Sequence, residues 1–350
     1  MKAAAWMVWL AALPACSKDS TPSPREAPLA PPDAAPAPVA SLLPSTPSPV
    51  AVAPSASASP SPTAATSASA GPGPGPRSSV KLLEPGHEPR RTLRYAWHVD
   101  RKEQMAVVLR TTVSTEAGGE RRDLPLPPLR VLVAIDPQAT SPDGDMRFSW
   151  HVTAARADAD AGAPEEVAQG WSAQIAPVEH LSGAGVVTSR GLTRGVTLDP
   201  GTAGDAGPDA EMVVQVLQML RDVAAPLPEE PVGKGGRWQK LTSLDAKNGH
   251  ATETDTFTLT DLQGDQGALD DVVAQTASPQ NLPPLVGVGS TAPARVDSVL
   301  MSGSSKTRFD LTRLVPQTSL DATTSMAVSG PSNRMNMLMR LGISIQGSVR

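Results

Sequence analysis

The chain has 350 residues, with 30 Lys and Arg against 35 Asp and Glu, a net charge of −5 and a single cysteine. That balance excludes the basic stripe on which nucleic-acid binding depends and any electrostatic hold on an anionic membrane surface. One cysteine excludes an intrachain disulfide and a thiolate metal cluster, so the fold has to be held by its core.

The first sixteen residues divide sharply. Met1-Lys2 is a short positive start, Ala3 to Ala12 is an uncharged apolar run containing Trp6, Val8, Trp9 and Leu10, and Leu13-Pro14-Ala15-Cys16 leads into polar Ser17-Lys18-Asp19-Ser20. This is the secretory pattern. An apolar run of about ten residues is too short to span a bilayer core, which takes about twenty as a helix. The break at cysteine, with Leu three before and a small residue just before, resembles the lipobox of bacterial lipoproteins. The resemblance implies that 1–15 is a lipoprotein signal peptide and that Cys16 becomes the diacylated first residue, a membrane anchor. Pro14 departs from the usual Ala, Ser or Thr, and the alternative is an ordinary signal cut near Ala15 that leaves a free thiol. Acylation contributes about 0.8 kcal/mol per buried CH₂, so a multiply acylated cysteine holds well. Ser17, in place of the Asp that retains enteric lipoproteins in the inner membrane, points to the outer membrane.

From Ser17 to about Arg77 the composition is Pro, Ala and Ser with little else, as in Ala30-Pro31-Pro32 and Gly71-Pro72-Gly73-Pro74-Gly75-Pro76, and the linker is read as 16–89. Such a segment has too little apolar surface to offset the entropy of ordering and is expected to be a disordered, polyproline-like spacer. Roughly sixty residues at about 3.1 Å each give it a contour near 190 Å at full extension.

Residues 90–350 carry the folded part, and alternation dominates them. Met105, Val107, Leu109, Thr111 and Val113 share one face. Leu129 to Ile135 and Asp145 to Ala155 flank Ser141-Pro142-Asp143-Gly144, which reads as a hairpin. Leu241 to Leu244 and Thr252 to Leu262 bracket Lys247-Asn248-Gly249-His250, a second hairpin, with Thr at alternate positions facing away from Phe257 and Leu259. Val296 to Leu300 and Thr307 to Val315 bracket Ser302-Gly303-Ser304-Ser305. A last strand sets Met335, Met337, Met339, Leu341, Ile343 and Ile345 against Asn336, Arg340, Ser344 and Gln346. The count is ten to twelve strands, mostly antiparallel with one apolar face. A helix is predicted from Asp209 to Val223, between Gly207-Pro208 and Pro226, and a weaker one from Pro164 to Ile175. The expected fold is mainly β (α+β): a curved antiparallel sheet or half-barrel with one or two mid-chain helices on its concave face.

Motifs for chemistry are sparse. Gly287-Val288-Gly289-Ser290-Thr291-Ala292 lacks the strand and helix that a dinucleotide loop needs. Asp158, Asp160, Glu165 and Glu166, like Asp199, Asp205 and Asp209, lack the order of a calcium loop and read as solvated acids. The histidines at 87, 98, 151, 180 and 250 have no metal-ligand spacing, and no nucleophile elbow occurs. No cofactor and no enzymatic activity is expected.

Leu227-Pro228-Glu229-Glu230-Pro231-Val232-Gly233-Lys234-Gly235-Gly236-Arg237-Trp238 joins the predicted helix to the later strands. It resembles a family of uncharacterised bacterial lipoproteins in which a helix is followed by Leu-Pro, Pro-Val-Gly, another Gly and a strand-opening Trp. The overall plan resembles the half-barrel lipoproteins of the LolA and LppX type, and that resemblance implies a lipid or other hydrophobe held against an apolar concave sheet. Trp238, Met335, Met337, Met339 and Leu341 are the candidate lining residues, since Met suits adaptable apolar surfaces. The alternative is an envelope scaffold or protein-interaction lipoprotein whose core is filled.

Overall fold

The computed structural model describes residues 77–117, 120–158, 165–199, 220–246, 249–282, 294–329 and 334–349. Fourteen strands form one antiparallel sheet. They are β1 (Arg77–Glu84), β2 (Glu103–Ala117), β3 (Glu120–Pro125), β4 (Leu129–Thr140), β5 (Met146–Ala157), β6 (Ser182–Val187) and β7 (Thr193–Leu198). The second half holds β8 (Arg237–Ala246), β9 (Gly249–Gln263), β10 (Gln266–Ala277), β11 (Gln280–Leu282), β12 (Ala294–Asp310), β13 (Gln317–Ser329) and β14 (Arg334–Val349). Their order across the sheet is β1-β8-β9-β10-β12-β13-β14-β2-β4-β5-β6-β7, with β3 on β2 and β11 on β12. The sheet is open, and β1 and β7 are its edges.

Period-two alternation explains the strands, because successive side chains point to opposite faces. On β14, Met339, Leu341, Ile343 and Ile345 are buried while Asn336, Arg340 and Gln346 are exposed, the division expected from the sequence. Gly144, in the left-handed region at φ 80°, closes the β4–β5 turn by donating its N–H to the Ser141 carbonyl at 2.9 Å. The one α-helix bounded within the described residues, α1 (Glu165–Ile175), buries Ala168, Trp171 and Ile175. Its Ser172 hydroxyl accepts the Ala157 N–H at 3.1 Å, which docks it on the end of β5. The helix predicted from Asp209 lies outside the described residues as far as 219; Leu220 and Arg221 are helical.

Two expectations need correction. Ser302-Gly303-Ser304-Ser305 is not a turn but the middle of the continuous strand β12. It is paired on both sides, Gly303 opposing Val273 and Ala322, so the neighbouring ladders override weak local propensity. A Cβ on Gly303 would meet the Ala322 Cβ at 2.7 Å, so the glycine is there for close packing. Residues 77–84, read as spacer, form β1 and pair with β8 from Arg77↔Ser243 to Glu84↔Arg237. Only Val80, Leu82 and Leu83 mark that strand, between Gly75-Pro76 and Pro85-Gly86.

One face of the sheet carries the core. Trp150, Trp238, Phe148, Ile135, Leu259 and Leu269 are among its fully buried side chains. Non-strand segments lie in the same cluster: Leu93 and Tyr95, then Leu220 to Val232, then Leu311 to Val315. These connect distant parts of the sheet. Tyr95 donates its N–H to the Ser189 carbonyl and its hydroxyl to the Ala225 carbonyl, and the Ala96 N–H donates to Leu311.

The segment from Val232 to Trp238 is shaped by glycine. Gly86, at φ 77°, sits against Gly233 and Gly236, and a Cβ on Gly233 would fall 1.8 Å from the His87 carbonyl oxygen. Gly235 donates to the Leu259 carbonyl, and Leu259 donates back to Gly236. The loop leaving β1 and the loop entering β8 are in backbone contact, His87 donating its N–H to the Lys234 carbonyl at 2.8 Å and Gly233 donating to Pro85 at 2.9 Å. Gly233→Ala is expected to lower stability by roughly 2 kcal/mol or more, because backbone on both sides has to shift; urea unfolding of the variant checks this.

Candidate functional site

The buried face of the sheet is apolar over β2, β4, β5 and β14 but charged over β8, β9 and β10. Register explains the cluster. One row across the sheet runs Lys240–Asp255–Val273–Gly303–Ala322. The next runs Thr242–Glu253–Gln275–Met301–Thr324, and the row on the other side runs Trp238–Phe257–Asp271–Ser305–Leu320. Lys240, Glu253, Asp255 and Asp271 therefore converge beneath the covering segment that holds Asp222. All four are at most 7 % exposed.

Lys240 is the hub. Its Nζ donates to Asp222 Oδ1 at 2.6 Å and lies 3.6 Å from Asp255 Oδ2. Burial works against its charge, but the carboxylates of Asp222 and then Asp255 outweigh it and hold the ammonium above its ordinary range. Its stabilising contribution is thus complete below the unfolded-state value of 10.5 and lost only in strong alkali. Ser305 donates to Asp271 Oδ2 at 3.2 Å, and Thr307 and Thr318 share a hydrogen bond of 3.1 Å. Between this floor and Ala224, Ala225 and Pro226 lies a pocket of about 50 Å³. Ligand pockets for drug-sized molecules are typically about 300–1,000 Å³. The pocket suits water or a small ion and is too small for an acyl chain.

A second buried carboxylate serves a different end. Glu103, 2 % exposed, accepts the backbone N–H groups of Leu314 at 2.8 Å and Val315 at 3.2 Å, with Arg313 at 3.7 Å. It pins the β12–β13 connection onto the start of β2. Burial pushes its carboxyl above the usual value of 4.5, against the pull of those two N–H groups and of Arg313.

The five lining candidates do not meet in that pocket. Trp238 is fully buried on β8, stacked on Phe257 at 5.9 Å, and donates its Nε1–H to the Pro226 carbonyl at 2.9 Å. Met339 and Leu341 are buried on β14, five strands away in sheet order. Met335 and Met337 are half-buried and pack against a separate cluster of Val296, Val299, Met326 and Val328. Cys16 and Gly287-Val288-Gly289-Ser290-Thr291-Ala292 lie outside the described residues. Asp158 pairs with Arg130 at 3.4 Å and Arg156 at 3.3 Å, Asp199 accepts from Ser182 at 2.6 Å, and Glu165 and Glu166 are exposed. Asp160, Asp205 and Asp209 lie outside the described residues. All five histidines are exposed.

The charged pocket was not anticipated, although a signal existed. The Thr ladder of β9 marks its outward face, so Glu253 and Asp255 necessarily share the face of Phe257 and Leu259.

A carboxyl whose pKa is raised on folding holds its proton more tightly in the folded state, so Glu103 contributes most below its unfolded value and loses that contribution as pH rises through the folded one. The stability of the wild type relative to Glu103→Gln is expected to be greater near pH 4.5 than at pH 7.5; paired denaturant titrations at the two pH values check this. No protein-family model and no curated protein matches this chain.

Proposed function

We propose that this chain is an exported lipoprotein, anchored to the outer membrane through acylated Cys16, whose β domain is a half-barrel closed over its own chain and acts by protein contact in the envelope. The curl is supported by a bridge at Pro226–Leu227. Pro226 accepts from Trp238 on β8 at 2.9 Å, and Leu227 donates to Arg190 in the β6–β7 turn at 2.9 Å. β8 and β6 are nine steps apart in the sheet order; strands about 4.8 Å apart would separate them by about 43 Å if the sheet were flat. Two adjacent residues reach both only if the sheet curls.

The observation that carries the filled-core reading is the occupancy of the inner face. Leu220, Val223 and Leu227 are at most 2 % exposed and fill the trough in which a lipid would lie. The space beside Ala224 and Ala225 is the charged pocket of about 50 Å³; a wider cleft of about 620 Å³ lies at the β9–β10 turn and is lined mainly by polar side chains, among them Asp261, Arg308 and Arg313. A hydrophobe carrier is the second reading, favoured by one feature: the filling is a local stretch of chain rather than a strand of the sheet.

Three measurements test the proposal. Native mass spectrometry of the full lipoprotein, extracted from membranes, is expected to give the chain plus its anchor with no further lipid. Cross-linking in intact cells is expected to trap one envelope protein at fixed stoichiometry. A co-bound lipid contradicts the filled-core reading, and the lack of a discrete adduct contradicts the protein-contact role. Cys16→Ser is expected to abolish acyl labelling and release the protein from the membrane fraction; retention without labelling contradicts the anchor.

A further inference from the structure

We propose that the cleft at the β9–β10 turn is a docking site for an acidic peptide segment of an envelope partner, with the Arg308 guanidinium as its anchor. The inference rests on the protein-contact reading and gives that partner a chemistry.

Register leaves Arg308 without a carboxylate. One row across this end of the sheet runs Asp261–Ala268–Arg308–Gln317, so the residues directly opposite Arg308 are an alanine and an amide. Two positions back on β12, Lys306 faces Asp270 instead. Arg308 is exposed, and among the described residues its guanidinium has no ion-pair or hydrogen-bond partner. The acids around the cleft are already engaged. Asp310 accepts the Thr312 N–H at 2.9 Å and the Thr312 hydroxyl at 2.7 Å, and the Gln266 amide donates to it as well. Asp261 accepts from the Gln263 amide at 3.1 Å, and Asp265 in the turn itself pairs with Arg91 at 3.8 Å. A second guanidinium, Arg313, lines the cleft and lies 3.7 Å from Glu103, a carboxylate that already accepts two backbone N–H groups.

The capacity left over consists of guanidinium donors and the amide of Gln317, which has no side-chain partner among the described residues. A carboxylate matches the guanidinium fork in two parallel N–H···O bonds. The amide both donates and accepts, which matches a peptide group. Size points the same way. The cleft measures about 620 Å³, whereas one water takes about 30 Å³, so a lone ion would leave it mostly unfilled and a few residues of extended chain would occupy it. Its place suits a contact surface. The chain enters β1 at Arg77, in the row of Ser243 and Thr252. The cleft lies at the other end of β9, beside Asp261, about 30 Å along that strand. A partner docked there is engaged away from the point where the tether enters the sheet.

Fluorescence anisotropy with a labelled hexaglutamate peptide tests this on the full lipoprotein in detergent. Saturable binding is expected at about 0.15 M salt, where long-range attraction is screened, with hexaglutamine left unbound. Arg308→Gln is expected to weaken binding by about tenfold or more. Ala268→Glu sets a carboxylate directly opposite Arg308 and is expected to weaken binding as much, by occupying the anchor. Arg147→Gln removes the same charge from an exposed position on β5 and is expected to change the affinity by less than about twofold. Circular dichroism verifies that each variant is folded. No binding to the wild type overturns the site, and so does an equal loss in Arg308→Gln and Arg147→Gln, as unspecific attraction. Displacement of the peptide by inorganic phosphate at equal concentration overturns the peptide in favour of a small anion. The cross-link to one envelope protein in intact cells stands or falls by itself, so the site and the protein-contact reading fail separately.

Discussion

The interaction on which the rest of this structure depends is the grip of Pro226 and Leu227 on two distant parts of one sheet. A fourteen-stranded antiparallel sheet with one apolar face has too much surface to bury against the one short α-helix bounded within the described residues. With one cysteine and only ten aromatic residues (six Trp, three Phe, one Tyr), the chain has no covalent staple and few large side chains to spend on a separate second layer. In the half-barrel we propose, the sheet is its own second layer, and the stretches around Tyr95, Leu227 and Leu311 fill the space between its halves. Trp238 and Phe148 work in the same economy: Trp238 caps the bridge from β8, and the Phe148 ring lies over Gly185, where any Cβ would sit 2.5 Å from it.

Charge enters this core at Lys240, where the filling stands off the sheet, and at Glu103, where a carboxylate meets backbone N–H groups. Lys240 is buried with a partner on the covering segment and another on its neighbouring strand, the arrangement that makes an internal ammonium tolerable. Replacing such a group by apolar residues of similar volume is often neutral for stability, so retention of the pair points to a role in choosing one arrangement of the covering segment over others. Glu103 does comparable work at the opposite end, where two backbone N–H groups of the β12–β13 connection have no strand partner and find one carboxylate.

Much of the sheet was legible because period two is a strong signal. The faces of β14, the β4–β5 turn at Gly144 and the helix ending at Ile175 follow from pattern alone. What failed did so for identifiable reasons. Ser302 to Ser305 has turn composition, and only ladders on both sides make it strand. Residues 77–84 offer three apolar residues, Val80, Leu82 and Leu83, and depend on β8 for their pairing. The charged pocket joins residues from β8, β9, β10, β12, β13 and the segment at 222, a convergence that register creates and no linear spacing encodes. Trp238 was correctly placed at the opening of a strand, but what its indole touches depends on a proline twelve residues earlier.

The central claim is that the two ends of the sheet are brought together across its buried face, and an intramolecular distance tests it most directly. Lys234, at the entry to β8, and Arg194, on β7, are both exposed and accept spin labels as cysteines in a Cys16→Ser chain. β8 and β7 are ten steps apart in the sheet order, so a flat sheet places the pair about 48 Å apart. The closed half-barrel predicts a single narrow distribution centred below about 30 Å, as expected when one short segment bonds to both ends. A distribution centred near the flat-sheet value would contradict the account.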